Sequence, residues 1–367
     1  MSDEANALAA RLRARIERAG PLSFHDWMAA ALYDERAGYY NRADLTRWGR
    51  TGDYRTSPER SPLFAATFAR YFAELYQSLG TPKAWTIIEA GAGAGYFAQG
   101  ALETLARDYP HVLSATRYVI DEQSGATVDR AREHLNSFAA QVEFHLLADL
   151  TGPVRVGLIF ANELLDALPV HRVALREGRL RELCVELNEM GAFAWIECEL
   201  STPRLAEHFA RLNITLAEGQ TAEVNLAAED WLARAATKLE RGYIILVDYG
   251  AEAAQLYDAT LRPVGTLRAF QRHQLSDDVL AHPGAQDLTT TINWTQLKQA
   301  GAQAGLQLVG FARQDEFLLQ AGLLDQLERM TARLATEAER IALRLSTRDM
   351  ILPDGMSQSF QVLVLKK

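Results

Sequence analysis

Cysteine is scarce. The 367 residues hold only Cys184 and Cys198, and no CxxC occurs. A structural zinc site draws about four ligands, so cysteine spacing encodes no metal centre. Two isolated thiols fit a reducing compartment, where such residues act as small hydrophobes. No apolar run approaches the roughly 18–20 residues that a membrane span requires. Basic excess is also missing: 38 Lys and Arg stand against 47 Asp and Glu, a net charge of -9 mixed along the chain. Nucleic-acid binders usually concentrate a basic face, so nucleic acid is not expected as the main partner. There is no internal repeat and no low-complexity segment. The N-terminal ALAARLRARIERAG is arginine-rich and amphipathic, but Asp3, Glu4 and Glu17 count against a transit peptide. It reads as a surface helix ending at Gly20-Pro21, and the protein as cytoplasmic.

What is present is a large apolar share, 48%, enough for a substantial core in one domain with insertions or two. Residues 1–80 read as a helical N-terminal region with a capping loop. Within it, Ser23 is expected to cap a helix that Gly38 ends. After Pro82 short apolar runs alternate with helical patterns. Strands are expected at Thr86–Ala90, Arg117–Asp121, Val142–Leu147 and Val156–Ala161, with helices at Ala98–Asp108 and Gly125–Phe138. Continuous apolar strands separated by helices indicate a parallel sheet covered on both faces. Residues 171–200 instead alternate like antiparallel strands, with turns at Glu177-Gly178 and Met190-Gly191. They are read as part of an inserted subdomain, 171–239, on the substrate side. The core is assigned to 81–170 and 240–367, completed by GYIILVDYG, Leu306–Gln314, a long helix over Leu323–Ser346, and Ser359–Lys367. The terminal strands would form an antiparallel pair, giving an α/β, Rossmann-like seven-stranded sheet, parallel with an antiparallel C-terminal strand.

Ile87–Gly100 reads IIEAGAGAGYFAQG. Gly91, Gly93 and Gly95 allow close backbone approach to a ligand and conformations closed to other residues. No Lys-Ser/Thr follows, which excludes a P-loop. A dinucleotide fold is not excluded, because Gly93–Ala98 fits G-x-G-x-x-A. The acids discriminate. Glu89 precedes the turn at a strand end, where it would repel a pyrophosphate but suit the amino end of S-adenosylmethionine. Glu122 ends the next strand, in place for a ribose diol. Asp149, followed by Leu150, ends the third, in place for adenine. Three acids at successive strand ends match a ligand with a sulfonium and no phosphate, so S-adenosyl-L-methionine is favoured over a nicotinamide cofactor.

Several further segments carry a resemblance: FHDWMAAALYDERAGYY, GDYRTSPERSPLF, EAGAGAGYFAQG, ANELLDALPVHRV, VDYGAE, GTLRAFQRH, DLTTTINW and LPDGMSQSFQVLVLKK. In this order, from about residue 20 to the C-terminus, they resemble the MidA / NDUFAF-seven family of S-adenosylmethionine-dependent methyltransferases. The resemblance implies a class I methyltransferase with an added substrate-side region. Mitochondrial members methylate an arginine of a respiratory complex I subunit and assist assembly, which suggests a protein substrate here. The sequence departs from the family at Asp121, beside Glu122, where an apolar residue is usual, and at Arg55.

Asn162 and Glu163 emerge from the carboxyl end of the fourth strand, the edge where open α/β sheets bind ligands. A guanidinium nucleophile and a sulfonium donor are both cationic. A carboxylate that orients the guanidinium bidentately offsets that repulsion. Glu163 is assigned this role, Asp166 is second, and Asn162 is expected on the methionine part of the cofactor. In the loop 52–58, Asp53 is expected to face the substrate, with Thr56 and Pro58 against the cofactor. The alternatives left open are a small-molecule or RNA methyltransferase, an assembly factor with secondary catalysis, and a NAD-dependent oxidoreductase.

Overall fold

All six residues of Trp85–Ala90 are buried, as a strand enclosed on both faces must be. In this computed structural model, which describes residues 3–45, 61–271, 274–276, 278–351 and 359–367, that strand is the first of eight in the main sheet; the two-residue Ile292–Asn293 pairs only with the end of Gly242–Ala251, and the other seven form one continuous order. We label them β1 (Trp85–Ala90), β2 (Thr116–Asp121), β3 (Val142–Phe144), β4 (Gly157–Asn162), β5 (Gly242–Ala251), β6 (Gln307–Arg313) and β7 (Phe360–Lys366). Their order is β6-β7-β5-β4-β1-β2-β3. β1 to β5 pair in parallel, and β7 runs antiparallel to both neighbours, β5 and β6. This is the expected class I methyltransferase sheet.

The chain forms two compact units. One comprises Arg55–Leu164, Ala233–Tyr249 and Gly301–Lys367 and holds the main sheet almost entirely. Its core is aromatic: Phe64, Phe68 and Phe72 of the helix Pro62–Ser78 meet Phe97 and Phe160, and the last two stack at 4.2 Å. The helix Pro62–Ser78 therefore belongs with the sheet, although the sequence reading drew it into the N-terminal region. The other unit comprises Met1–Tyr54, Leu165–Leu232 and Gly250–Ala300. It contains a five-stranded antiparallel sheet built on His171–Arg176 and Arg179–Leu187. Glu177 and Gly178 both have positive φ, 49° and 72°, as the tight turn of a two-residue hairpin requires.

Local signals behaved unevenly. Ser23 caps Phe24–Tyr33, its Oγ accepting from Asp26 N at 3.1 Å, but that helix stops at Tyr33, well before Gly38. Tyr39 is buried in the core, and Tyr40 donates to Asp287 Oδ1 at 2.8 Å. The expected long helix over 323–346 is two, Leu323–Arg333 and Glu337–Ile351. The break is a capping box: Thr336 Oγ1 accepts from Glu339 N, and the Glu339 carboxylate accepts from Thr336 N. The helical period continues across it, which is why periodicity alone missed the stop.

Candidate functional site

The sheet order reverses between β1 and β4, because β2 and β3 lie on one side of β1 and β4 and β5 on the other. Ligands of open α/β sheets bind outside the carboxyl ends of the strands at such a switch point. The turn leaving β1 has φ of 68° at Gly91, 54° at Gly93 and 81° at Gly95. The left-handed φ at Gly91 is what requires glycine there; a Cβ would lie 2.8 Å from Leu164 Cδ1, the tip of a side chain that can move aside. Gly91 N donates to Asp121 O at 2.8 Å, and Gly93 N donates to the Glu122 carboxylate at 3.0 Å. The turn is thus laced to the end of β2. Gly100 has another role: a Cβ there would meet Ala65 at 2.8 Å, so it lets the helix Tyr96–Asp108 approach Pro62–Ser78.

The acids at this edge differ in their surroundings. Glu89 is buried, and Tyr118 Oη donates to its Oε2 at 2.6 Å. Burial pushes its carboxyl up to about 8, against the pull of the Tyr118 hydrogen bond and with some help from the Glu122 charge. Asp121 is pushed up to about 6, mainly by burial. A hydrogen bond from Leu147 N–H opposes that rise, and repulsion from Glu122 and Asp149 adds to it. Glu122 also accepts from Ser124 N at 2.9 Å. Asp149 is exposed at the end of the 3-10 turn Leu147–Asp149, followed by Leu150.

Asn162 is the last residue of β4. Its Nδ2 donates to Glu163 Oε1 at 3.1 Å, while its buried Oδ1 has no hydrogen-bond partner among the described residues. Glu163 has a φ of 52° and is pinned there by its N–H, which donates to Val247 O at 2.9 Å. Left-handed backbone at a residue other than glycine costs on the order of 1–3 kcal/mol and clusters at functional sites.

One unit therefore brings Glu89, the three glycines, Asp121, Glu122, Asn162 and Glu163 to the ends of neighbouring strands, while Asp149 and Leu150 lie beyond β3, which stops at Phe144 rather than at the expected Leu147, on and just after the 3-10 turn. Asp166 lies in the other unit, buried, with its carbonyl accepting from Thr290 N at 3.0 Å. Asp53, Arg55, Thr56 and Pro58 fall outside the described residues. Among the described residues no cluster of His, Cys, Asp and Glu could hold a metal ion. Two residues were missed. Tyr118 looked like any strand aromatic, because period-2 patterning does not show which residue its hydroxyl reaches. Asp248, buried in the last third of β5, was legible as an acid near the ligand edge within VDYGAE.

The switch-point geometry, glycine turn and row of acids define a class I methyltransferase site. A profile of the family described as "Putative S-adenosyl-L-methionine-dependent methyltransferase" matches residues 67–312, more than half of the chain, and the chain belongs to that family. S-adenosyl-L-methionine is the cofactor of that family's chemistry, which sets the nicotinamide alternative aside. Relatives include the protein arginine methyltransferase NDUFAF7 homolog, mitochondrial, of Drosophila melanogaster, 25% identical over 98% of this chain and 84% of that protein. The human protein arginine methyltransferase NDUFAF7, mitochondrial, is 24% identical over 96% and 81%. A crystallised Burkholderia thailandensis protein bound to S-adenosyl-homocysteine is 30% identical, with a TM-score of 0.88 over 99% of this chain and 92% of that one.

The residues present fit this cofactor. The glycine turn leaves room for close approach, the buried Glu89 calls for a cation, and Asn162 Oδ1 calls for a donor.

Proposed function

We propose that the chain methylates an arginine side chain of a protein, with Glu163 orienting the guanidinium. The observation that carries this reading is the Glu163 backbone, held at a φ of 52° at the carboxyl end of β4 beside Asn162. The names of the relatives supply arginine as the nucleophile. Bound S-adenosylmethionine presents a methyl group on a sulfonium. The protein's own part is alignment and charge compensation, since in-line displacement depends on holding the nucleophile close and on axis. A Glu163 carboxylate accepting two guanidinium N–H bonds does both.

The remaining roles follow from position. Glu89 meets the cofactor's amino group, which supplies the positive charge that its burial lacks. Gly91, Gly93 and Gly95 cradle the chain between amino acid and ribose, Glu122 takes the ribose diol, and Asp149 and Leu150 face the adenine. Asn162 contacts the methionine part through its unsatisfied Oδ1. Asp166, Asp53, Thr56 and Pro58 keep their assignments as substrate- and cofactor-side residues, and 171–239 its assignment as the substrate-side insertion. A respiratory-complex subunit is the proposed class of protein substrate. The cytoplasmic location is carried as part of the same proposal, although the relatives are named mitochondrial.

The test is transfer of labelled methyl from S-adenosylmethionine into a lysate of a deletion strain, followed by mass spectrometry. Methylarginine in a protein is expected, and Glu163→Gln should abolish it while S-adenosylhomocysteine affinity stays near wild type. Label in RNA or a small molecule, or undiminished turnover by Glu163→Gln, would overturn the reading.

A further inference from the structure

We infer that Lys238 is a positioning residue that fixes the adenine subsite, an inference that rests on the reading of Asp149 as the adenine contact. Lys238 follows the helix Leu226–Thr237 and is far from Asp149 in sequence. Its ammonium nonetheless donates to Ala148 O at 3.2 Å and Leu150 O at 2.8 Å, the two carbonyls that flank Asp149. On the other side of the segment the Leu147 backbone N–H faces the Asp121 carboxylate. The exposed Asp149 is thus presented from a short segment that Lys238 holds by both flanking carbonyls.

General packing does not explain this grip. The backbone around Lys238 is already tied down elsewhere, because Val154 N donates to Lys238 O at 2.8 Å and Glu240 N donates to Val154 O at 2.9 Å. The ammonium adds nothing to that pairing. It gives up water and rotamer freedom to hold the peptide groups beside Asp149, an ordering that must be offset by the bonds it makes. Asp121 faces the same segment from its other end. The two Lys238 hydrogen bonds fix where the Asp149 carboxylate points, and a fixed acceptor discriminates what a mobile one tolerates.

The chemistry of adenine makes this measurable. Its C6 amino group donates to a carboxylate, whereas a C6 carbonyl would face the same carboxylate with another acceptor. Calorimetry should compare S-adenosylhomocysteine with its 6-oxo analogue S-inosylhomocysteine in wild type, Lys238→Met, Lys238→Arg and Asp149→Asn. Wild type should prefer the adenosyl ligand. Lys238→Met should shrink that preference about tenfold, the worth of one well-made hydrogen bond, and Lys238→Arg should retain it. The ratio is the readout because general loosening weakens both ligands alike. If Asp149→Asn leaves the ratio unchanged, the adenine reading fails. If Asp149→Asn collapses it and Lys238→Met does not, the role of Lys238 is overturned while the adenine reading stands. Should Lys238→Met not fold, Lys238→Gln, which keeps a polar head without the charge, takes its place under the same criteria.

Discussion

Glu89→Gln gives the sharpest test of the electrostatics at the turn. Glu89 is buried with its carboxyl pushed up to about 8 from 4.5, so the folded protein binds this proton more tightly than the unfolded chain does. Stability must therefore fall as pH rises from the unfolded value toward the folded one, the reverse of a salt-bridged carboxylate. Asp121 acts in the same direction, but its window closes near its folded value of about 6. Between pH 6 and 8 the Glu89 contribution falls at about 1.4 kcal/mol per pH unit, tapering near 8, for a total of about 2 kcal/mol. Glutamine keeps an acceptor for Tyr118 Oη, which donates to Oε2 at 2.6 Å in the native protein, and cannot ionise. Wild type and variant should then diverge with pH. Because the chain forms two units, global unfolding is a poor probe, and hydrogen exchange of the peptide Trp85–Ala90 reports the sheet directly. The wild-type protection factor relative to Glu89→Gln should drop about thirtyfold from pH 6 to pH 8, the equivalent of that free energy. Parallel pH profiles for the two proteins would refute the reasoning.

Tyr118→Phe removes the hydroxyl that donates to the buried Glu89. It should cost about 1–3 kcal/mol of stability, read as a lower melting temperature, and weaken S-adenosylhomocysteine binding at neutral pH by raising Glu89 further. Gly91→Ala places a Cβ at a φ of 68°, a conformation that costs an L-residue about 1–2 kcal/mol, so cofactor affinity by calorimetry should fall about tenfold while far-ultraviolet dichroism stays native-like. Thr336→Ala breaks the capping box with Glu339 and should cost about 1 kcal/mol by differential scanning calorimetry, leaving S-adenosylhomocysteine affinity unchanged.

Legibility followed the range of the interaction. Buried strands and the glycine turn were readable because their signals are local: continuous apolar runs, and residues with no Cβ where the backbone is left-handed. Element ends were less so. Gly38 did not end its helix, and Thr336 broke one that periodicity carried straight through. The acids show the limit most clearly. Sequence placed Glu89, Glu122 and Asp149 at strand ends, but not what surrounds each of them. Asp121 and Glu122 are adjacent, so composition cannot tell them apart, and a one-residue step along a strand reverses the side-chain face. The contacts separate them: Glu122 holds Gly93 N and Ser124 N, while Asp121 accepts from Leu147 N–H of the segment that precedes Asp149. The two acids thus face different segments at the carboxyl edge of the sheet. The Asp121 contact joins the end of β2 to the 3-10 turn that follows β3, beyond the reach of any local pattern.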